Sequence, residues 1–203
     1  PGFHRGGASA VLPHGRHSAK LSECGAGRRA ITRAAEARAC RVWKITFAIR
    51  MNFLGHLYLS GHDPEVIVGN FMGDAVKGRD LSRFSPGIER GLRLHRAIDS
   101  FTDVHPVLLE GRQRVHSHAG RYASVVMDLF YDHLLAANWG RISEEPLERF
   151  AQRMYRLLNE HEARMPDRTR HMLPYMVDGD WLTSYSTLEG IGRALDGLSR
   201  RVP

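Results

Sequence analysis

Cysteine is scarce in this chain of 203 residues, and both copies, Cys24 and Cys40, lie in the first quarter. Residues 51–203 therefore contain no cysteine, which excludes a disulfide scaffold, a thiol nucleophile and a thiolate zinc site there. The low cysteine content predicts a cytoplasmic protein. No apolar run approaches the ~20 residues that a membrane-spanning helix needs, so we expect no membrane partner.

Acidic residues are rare in the first fifty positions, which hold ten Lys or Arg against two Glu. Residues 51–203 hold nineteen Lys or Arg against twenty Asp or Glu, so the positive excess belongs entirely to the first quarter. The rest of the chain gives no global argument for nucleic-acid binding. Residues 1–50 lack a sustained helical or strand period, and we expect them to be a non-native extension before a natural start at Met51. A disordered tail and a targeting or binding segment are the alternatives.

Residues 51–203 predict a single compact all-α domain, because apolar residues recur at helical spacing without convincing strands, long linkers or internal repeats. Proline in the first turn marks three helix starts, at Asp63-Pro64, Ser85-Pro86 and His105-Pro106. The predicted helices cover residues 52–60, 65–77, 86 to the break at 105, 106–117, 121–138 and 146–164. Two or three shorter helices end the chain.

The helix that begins at Pro86 combines core residues with groups that could do chemistry. Its predicted buried side carries Ile88, Leu92, Ile98 and Phe101. His95, Asp99 and Asp103 follow one another at i, i+4 and i+8, which spreads them over about 80°, so that all three can point one way. This helix could therefore present several ligand groups to one site.

Two other predicted helices carry carboxylates among apolar residues. Asp128 and Asp132 are four residues apart on the most strongly periodic helix, and His133 follows Asp132 directly. Asp74 follows Asn70 by four residues on the helix predicted over 65–77. Residues four apart share one helix face, so each pair could act together.

A further imidazole, His56, lies inside the apolar run 53–57, where a polar side chain needs a partner. Imidazole and carboxylate groups together bind Mn²⁺, Fe²⁺, Zn²⁺ or Mg²⁺. Such an ion polarises a phosphoryl oxygen and lowers the pKa of water, which phosphodiester hydrolysis needs because its substrate is anionic. The alternative is structural: a hydrogen-bonded core histidine and solvated aspartate pairs. Their coincidence on helices lined with core residues is an argument for a metal, and on the residues alone both alternatives stay open.

Five segments after position 50 resemble, in order, the motifs of one known family. Segments 51–57 (MNFLGHL) and 69–78 (GNFMGDAVKG) resemble the opening of bacterial acyl carrier protein phosphodiesterases. Segment 91–103 is similar to the family's central G-x-x-x-H-R-x-I-D-x-x-T-D motif, and segment 128–133 to its D-x-x-x-D-H helix. Segment 195–201 resembles a late L-x-G-[ML]-[AS]-x-R element, beyond which family members normally continue, whereas this chain ends two residues later.

The resemblance implies a divergent HD-type hydrolase fold with a divalent metal, Mn²⁺ foremost and Mg²⁺ or Fe²⁺ as alternatives. It implies hydrolysis of the phosphodiester that links 4′-phosphopantetheine to a serine of holo-acyl carrier protein, which gives the apo-protein. Asp74, His95 and Asp132 would be the catalytic residues, with Asp74 the essential acid at the metal or its water. The metal ligands, or the groups that hold them, would be His56, Asp74, His95, Asp99, Asp128, Asp132 and His133.

Acyl carrier proteins are strongly acidic, so the resemblance also implies a basic docking surface. Its candidates are Lys77, Arg79, Arg83 and Arg93. Two other functions stay open: an HD-type phosphohydrolase that acts on a nucleotide or another small phosphodiester, and a non-catalytic helical module that binds an acidic carrier protein. The oligomeric state is open as well.

Overall fold

The structure is a computed structural model that describes residues 52–199, and the expectations for residues 1–50 lie outside this range. Within the described residues every regular element is helical, which confirms the all-α prediction. The α-helices are α1 (Phe53–Leu59), α2 (Pro64–Phe71), α3 (Pro86–Val104), α4 (Pro106–Ala119), α5 (Ala123–Ala137), α6 (Leu147–Glu160), α7 (Asp167–Asp178), α8 (Trp181–Ser184) and α9 (Leu188–Ser199). Single 3₁₀ turns lie at Gly73–Ala75, Gly120–Tyr122, Trp139–Arg141 and Glu162–Arg164. No helix within residues 52–199 has the length and hydropathy to cross a membrane.

Local caps start two of these helices where the sequence predicted them. The Asp63 carboxylate accepts hydrogen bonds from the backbone N–H groups of Glu65 (2.9 Å) and Val66 (3.4 Å) at the start of α2. Ser85 Oγ accepts one from the N–H of Ile88 at the start of α3, at 3.5 Å. These side chains satisfy amides that the first turn of a helix leaves without partners.

The helix predicted over residues 65–77 is wrong in its second half. α2 ends at Phe71, and the chain continues through the 3₁₀ turn that contains Gly73 and Asp74. The ring of His95 lies so close to this turn that a Cβ at Gly73 would collide with it. The tight turn therefore brings Asp74 toward α3. An uninterrupted helix through residue 77 would instead have extended past α3.

α2 and α3 pack in backbone contact because both present glycine where they meet. A Cβ at Gly69 would overlap the carbonyl oxygen of Ile88, and a Cβ at Gly91 would overlap that of Val66. Around this contact, side chains with 2% exposure or less are Ile67, Val68, Ile88 and Leu92. The glycines thus let the backbone of α2 come within hydrogen-bond reach of α3 side chains.

One hydrophobic cluster joins α1 to the later helices. Besides the residues of the α2–α3 contact, this cluster contains large side chains with less than 2% exposure from α1, α5, α6, α7 and α8. They are Leu54, Leu57, Leu129, Met154, Leu158, Leu173, Met176 and Leu182. Full burial of one such side chain contributes about 1.5–3 kcal/mol, so the cluster holds the short helix α1 in place.

The buried side predicted for α3 is confirmed in its first half, whereas in its second half Ile98 is half-buried and the prediction is wrong at Phe101. Ile88 and Leu92 are buried, whereas Phe101 is 65% exposed. The inward positions after Leu92 belong to His95 and Asp99, three and seven residues further on. Hydrophobic periodicity cannot register an inward face made of polar residues, and this polar half of the face belongs to the candidate site.

Candidate metal centre

Three side chains from two helices converge beside α2. His56 of α1 and His95 and Asp99 of α3 each offer one ligand atom, and these atoms lie within 4.8 Å of one another. His56 Nε2 is 3.4 Å from Asp99 Oδ1, and His95 Nε2 is 3.5 Å from Asp99 Oδ2. Ligand atoms bonded at ~2.1 Å to one tetrahedral ion lie about 3.4 Å apart. The spacing therefore fits a metal ion between the three groups.

The two imidazoles stack with their ring centroids 4.2 Å apart, and both are almost fully buried. Nδ1 of His56 lies 2.7 Å from Asn70 Oδ1, and Nδ1 of His95 lies 2.8 Å from the backbone oxygen of Asn70. Neither Nε2 atom has a hydrogen-bond partner among the described residues. A buried polar atom without a partner is costly, and imidazoles beside a carboxylate suit Mn²⁺, Fe²⁺ or Zn²⁺. The donor set thus fits a divalent cation.

Asp74 stands next to this group. Its Oδ1 lies 3.6 Å from His95 Nε2, and the residue sits on the 3₁₀ turn between α2 and α3. The lack of a side chain at Gly73 lets the His95 ring lie against that turn. Four residues singled out in the sequence therefore meet here: His56, Asp74, His95 and Asp99.

Comparison with known proteins assigns the chain to a family. The family model for acyl carrier protein phosphodiesterases matches residues 51–203, a range that includes all four of these side chains. The chain belongs to this family. The motif resemblance seen in the sequence is thereby confirmed.

Individual members of the family show the same relationship. An acyl carrier protein phosphodiesterase from Photorhabdus laumondii is 30% identical over 154 residues, which cover 75% of this chain and 78% of the relative. A relative of the same name from Pectobacterium atrosepticum is 32% identical over 154 residues, and one from Escherichia coli strain HS is 30% identical over 158 residues. Each of these two alignments covers 75% of this chain and 80% of the relative. No solved structure matches the chain.

Asp132, a predicted catalytic residue of this acyl carrier protein phosphodiesterase family member, contacts the start of α1. Its Oδ2 accepts a hydrogen bond from the N–H of Leu54 and its Oδ1 one from the N–H of Gly55, both at 2.9 Å. Burial raises the pKa of Asp132 to about 8, and the nearby Asp128 carboxylate raises it as well, against the two amide donors. Asp132 thus fixes the first turn of the helix that carries His56, and its role as a ligand stays a prediction.

The remaining candidates lie around this core of the site. Asp128 is buried on α5. His133 Nδ1 lies 2.6 Å from the backbone oxygen of Tyr185, which follows α8. Asp103, the last of the three residues spaced i, i+4 and i+8, accepts a hydrogen bond from Arg112 of α4 at 2.7 Å. The group of three converging ligand atoms includes none of them, and the ligand roles of Asp128 and His133 stay predictions.

Asn70 is the residue of the site that sequence analysis missed. It is fully buried and contacts both imidazoles. In the sequence it served only as a spacing marker for Asp74. The available signal is its position: a single amide side chain inside the apolar run 66–72 needs a partner, and such partners are often functional groups.

Proposed function

We propose that this chain hydrolyses the phosphodiester between 4′-phosphopantetheine and the serine of holo-acyl carrier protein, with a divalent metal held by His56, His95 and Asp99. Family membership supports the substrate and the reaction. The observation that carries the metal is the pair of buried Nε2 atoms that face one carboxylate. Mn²⁺ is our first choice of ion, with Mg²⁺ and Fe²⁺ as alternatives. We also propose an HD-like arrangement, in which histidines and aspartates from separate helices hold the ion.

The reaction adds water across the bond between phosphorus and the serine oxygen. The water oxygen bonds to phosphorus, the bond to the serine oxygen breaks, and a proton from water ends on that oxygen. The products are apo-acyl carrier protein and 4′-phosphopantetheine. A bound divalent cation would offset the charge of the phosphoryl oxygens and lower the pKa of the attacking water.

Asp74 is the carboxylate that we assign to proton transfer. Asp99 approaches both imidazoles, whereas Asp74 approaches His95, at 3.6 Å. Asp99 is therefore suited to hold the ion, and a carboxylate beside the group can accept a proton from water during its attack. Asp132 contributes indirectly, because its hydrogen bonds to the first turn of α1 position His56.

Removal of metal should stop the conversion of holo- to apo-acyl carrier protein, and Mn²⁺ should restore it. With the full chain and holo-protein, intact-mass spectrometry should show loss of phosphopantetheine in Mn²⁺ and no loss after treatment with a chelator. An unchanged mass in Mn²⁺, Mg²⁺ and Fe²⁺ would contradict the proposal. Turnover of bis(p-nitrophenyl) phosphate without turnover of holo-protein would favour a small-phosphodiester hydrolase, and binding without any turnover would favour a carrier-binding module.

Lys77 and Arg79 are the docking residues that we propose first. Both are exposed on the loop that follows Asp74, and neither forms an ion pair among residues 52–199. Arg96 of α3 donates a hydrogen bond to the backbone oxygen of Gly78 at 2.7 Å and so holds this loop against the helix. Two exposed cations beside the candidate metal centre suit an acidic protein substrate.

The other two docking candidates have partners within the chain. Arg93 Nη2 lies 2.5 Å from Glu89 Oε1, so a carboxylate of the substrate would compete with Glu89. The Arg83 guanidinium lies 4.9 Å from the centre of the Phe84 ring, a cation–π contact. We therefore propose a secondary docking role for both.

Reversal of both loop charges should weaken substrate binding more than chemistry. Each of Lys77→Glu and Arg79→Glu replaces an attraction of up to ~1 kcal/mol by a repulsion of similar size. We expect the double variant to lower kcat/KM about tenfold or more at low salt, mainly through KM, and the loss should shrink as salt is added. The matched control is Arg156→Glu, an exposed arginine on α6. Equal losses in the control and the double variant would contradict docking at this loop.

A further inference from the structure

The buried amide of Asn70 makes three hydrogen bonds to the α1 region. Its Oδ1 lies 2.7 Å from His56 Nδ1, and its Nδ2 donates to the backbone oxygen of His56 and to Ser60 Oγ, each at 2.8 Å. Ser60 Oγ in turn donates to the same backbone oxygen at 2.7 Å. All polar atoms of this amide therefore have partners although the residue is fully buried.

These contacts determine which way the amide faces. A backbone oxygen only accepts hydrogen bonds, so the amide atom 2.8 Å from the His56 oxygen must be the NH₂ group. The carbonyl Oδ1 must then face the His56 ring, and because Oδ1 also only accepts, His56 Nδ1 must carry the proton. In the neutral ring, Nε2 of His56 is left with a lone pair that faces Asp99.

The main chain of the same residue acts on the second imidazole. His95 Nδ1 lies 2.8 Å from the backbone oxygen of Asn70, so this nitrogen also carries the proton. Nε2 of neutral His95 is therefore an acceptor that faces Asp99 and Asp74. Two ring lone pairs and two carboxylates turn toward one another, which is an arrangement that a bound divalent cation stabilises.

We propose that Asn70 is a positioning residue that sets the tautomer of both imidazoles and so creates the metal site, with its side chain acting on His56 and its main chain on His95. The link to metal rests on the proposed function. The tautomers themselves are a property of the metal-free protein and can be measured without activity. Groups that hydrogen-bond to a metal-binding imidazole commonly change metal affinity 10–100-fold when they are removed.

A side-chain variant separates the effect of the Asn70 side chain on His56 from the effect of the Asn70 main chain on His95. Asn70→Leu replaces the amide by an apolar group of similar size that cannot accept a hydrogen bond, while the main-chain oxygen at this position remains. We therefore expect His56 to move its proton to Nε2, and we expect His95 to keep its proton on Nδ1. His95 thus serves as the control within the same molecule.

The experiment is ¹⁵N NMR of the imidazole nitrogens in the chelator-treated full chain, at a pH where titration shows both rings to be neutral. His56→Gln and His95→Gln identify the two sets of signals. The wild type should show the proton on Nδ1 in both rings. Asn70→Leu should change the signals of His56 alone and weaken Mn²⁺ binding, measured by calorimetry, by about 10–100-fold.

Two further variants distinguish the loss of the hydrogen-bond acceptor at Asn70 from a general loss of fold. Asn70→Asp keeps an acceptor for His56 Nδ1, so its His56 should retain the wild-type tautomer. Thr169→Val removes a buried hydroxyl from α7, which carries none of the converging ligands, and should change neither ring. The proposal is overturned if wild-type His56 or His95 carries its proton on Nε2, or if Asn70→Leu leaves His56 unchanged. Correct tautomers without turnover of holo-acyl carrier protein would contradict the proposed function alone.

Discussion

Asp74→Asn should lower kcat for the conversion of holo- to apo-acyl carrier protein by about 10²–10⁴-fold, the usual contribution of a general base. Asparagine has nearly the same shape as aspartate but cannot accept the proton of the attacking water. The Asp74 carboxylate lies 3.6 Å from His95 Nε2 but outside the group formed with His56 and Asp99. The fold and most of the Mn²⁺ affinity should therefore survive, as circular dichroism and calorimetry would show.

Two further aspartate variants, one at a predicted metal ligand and one at an exposed position, are the controls for Asp74→Asn. Asp99→Asn should lose Mn²⁺ affinity together with activity, because both imidazoles face that carboxylate. Asp196→Asn, at an exposed aspartate on α9, should change neither. If Asp74→Asn keeps more than a tenth of the wild-type kcat, the base must be another group. If it loses the metal, Asp74 is a ligand.

Gly91→Ala should destabilise the fold and disturb the metal centre together. In an exposed helix alanine is favoured over glycine by ~1 kcal/mol. At this position a Cβ would overlap the backbone oxygen of Val66 and lie 2.8 Å from Asn70 N. Relief requires α2 and α3 to separate, which costs about 3 kcal/mol or more. We expect the free energy of unfolding in urea to fall by a net ~2 kcal/mol or more.

A second glycine provides the matched control. Gly192 lies within α9, and a Cβ there meets nothing within 4 Å. Gly192→Ala should therefore raise the free energy of unfolding by up to ~1 kcal/mol. Separation of α2 from α3 should also move the Asn70 backbone oxygen away from His95 Nδ1, so Gly91→Ala should lose Mn²⁺ affinity as well. A Gly91→Ala protein as stable as wild type would show that the two helices do not depend on this contact.

The parts of the fold that sequence predicted correctly depend on neighbouring residues. Asp63 and Ser85 cap α2 and α3 within three residues of themselves, and α4 begins at Pro106 as expected. The helix predicted over 65–77 failed because a distant ring, that of His95, lies against the chain where the helix ends. No pattern within the segment could show that contact.

The site was predictable in its residue types and less so in its geometry. Spacing on α3 correctly grouped His95 with Asp99, since that relationship lies within one helix. The contribution of Asn70 depends on a contact with His56, fourteen residues away on another helix. The hydrophobic reading of Phe101 failed for the complementary reason, because polar ligands occupy the inward positions of that half of the helix.

The hydrogen bonds from Leu54 and Gly55 to Asp132 join positions 78 and 77 residues apart. A helix of seven residues such as α1 is not stable in isolation, so it acquires its fixed start only when α5 docks. We therefore expect His56 to reach its place only after the long segment between these two helices, which contains α2, α3 and α4, has brought them together. A metal ion that binds only the assembled site would not nucleate folding of the chain. Such an ion stabilises the complete native state, by mass action.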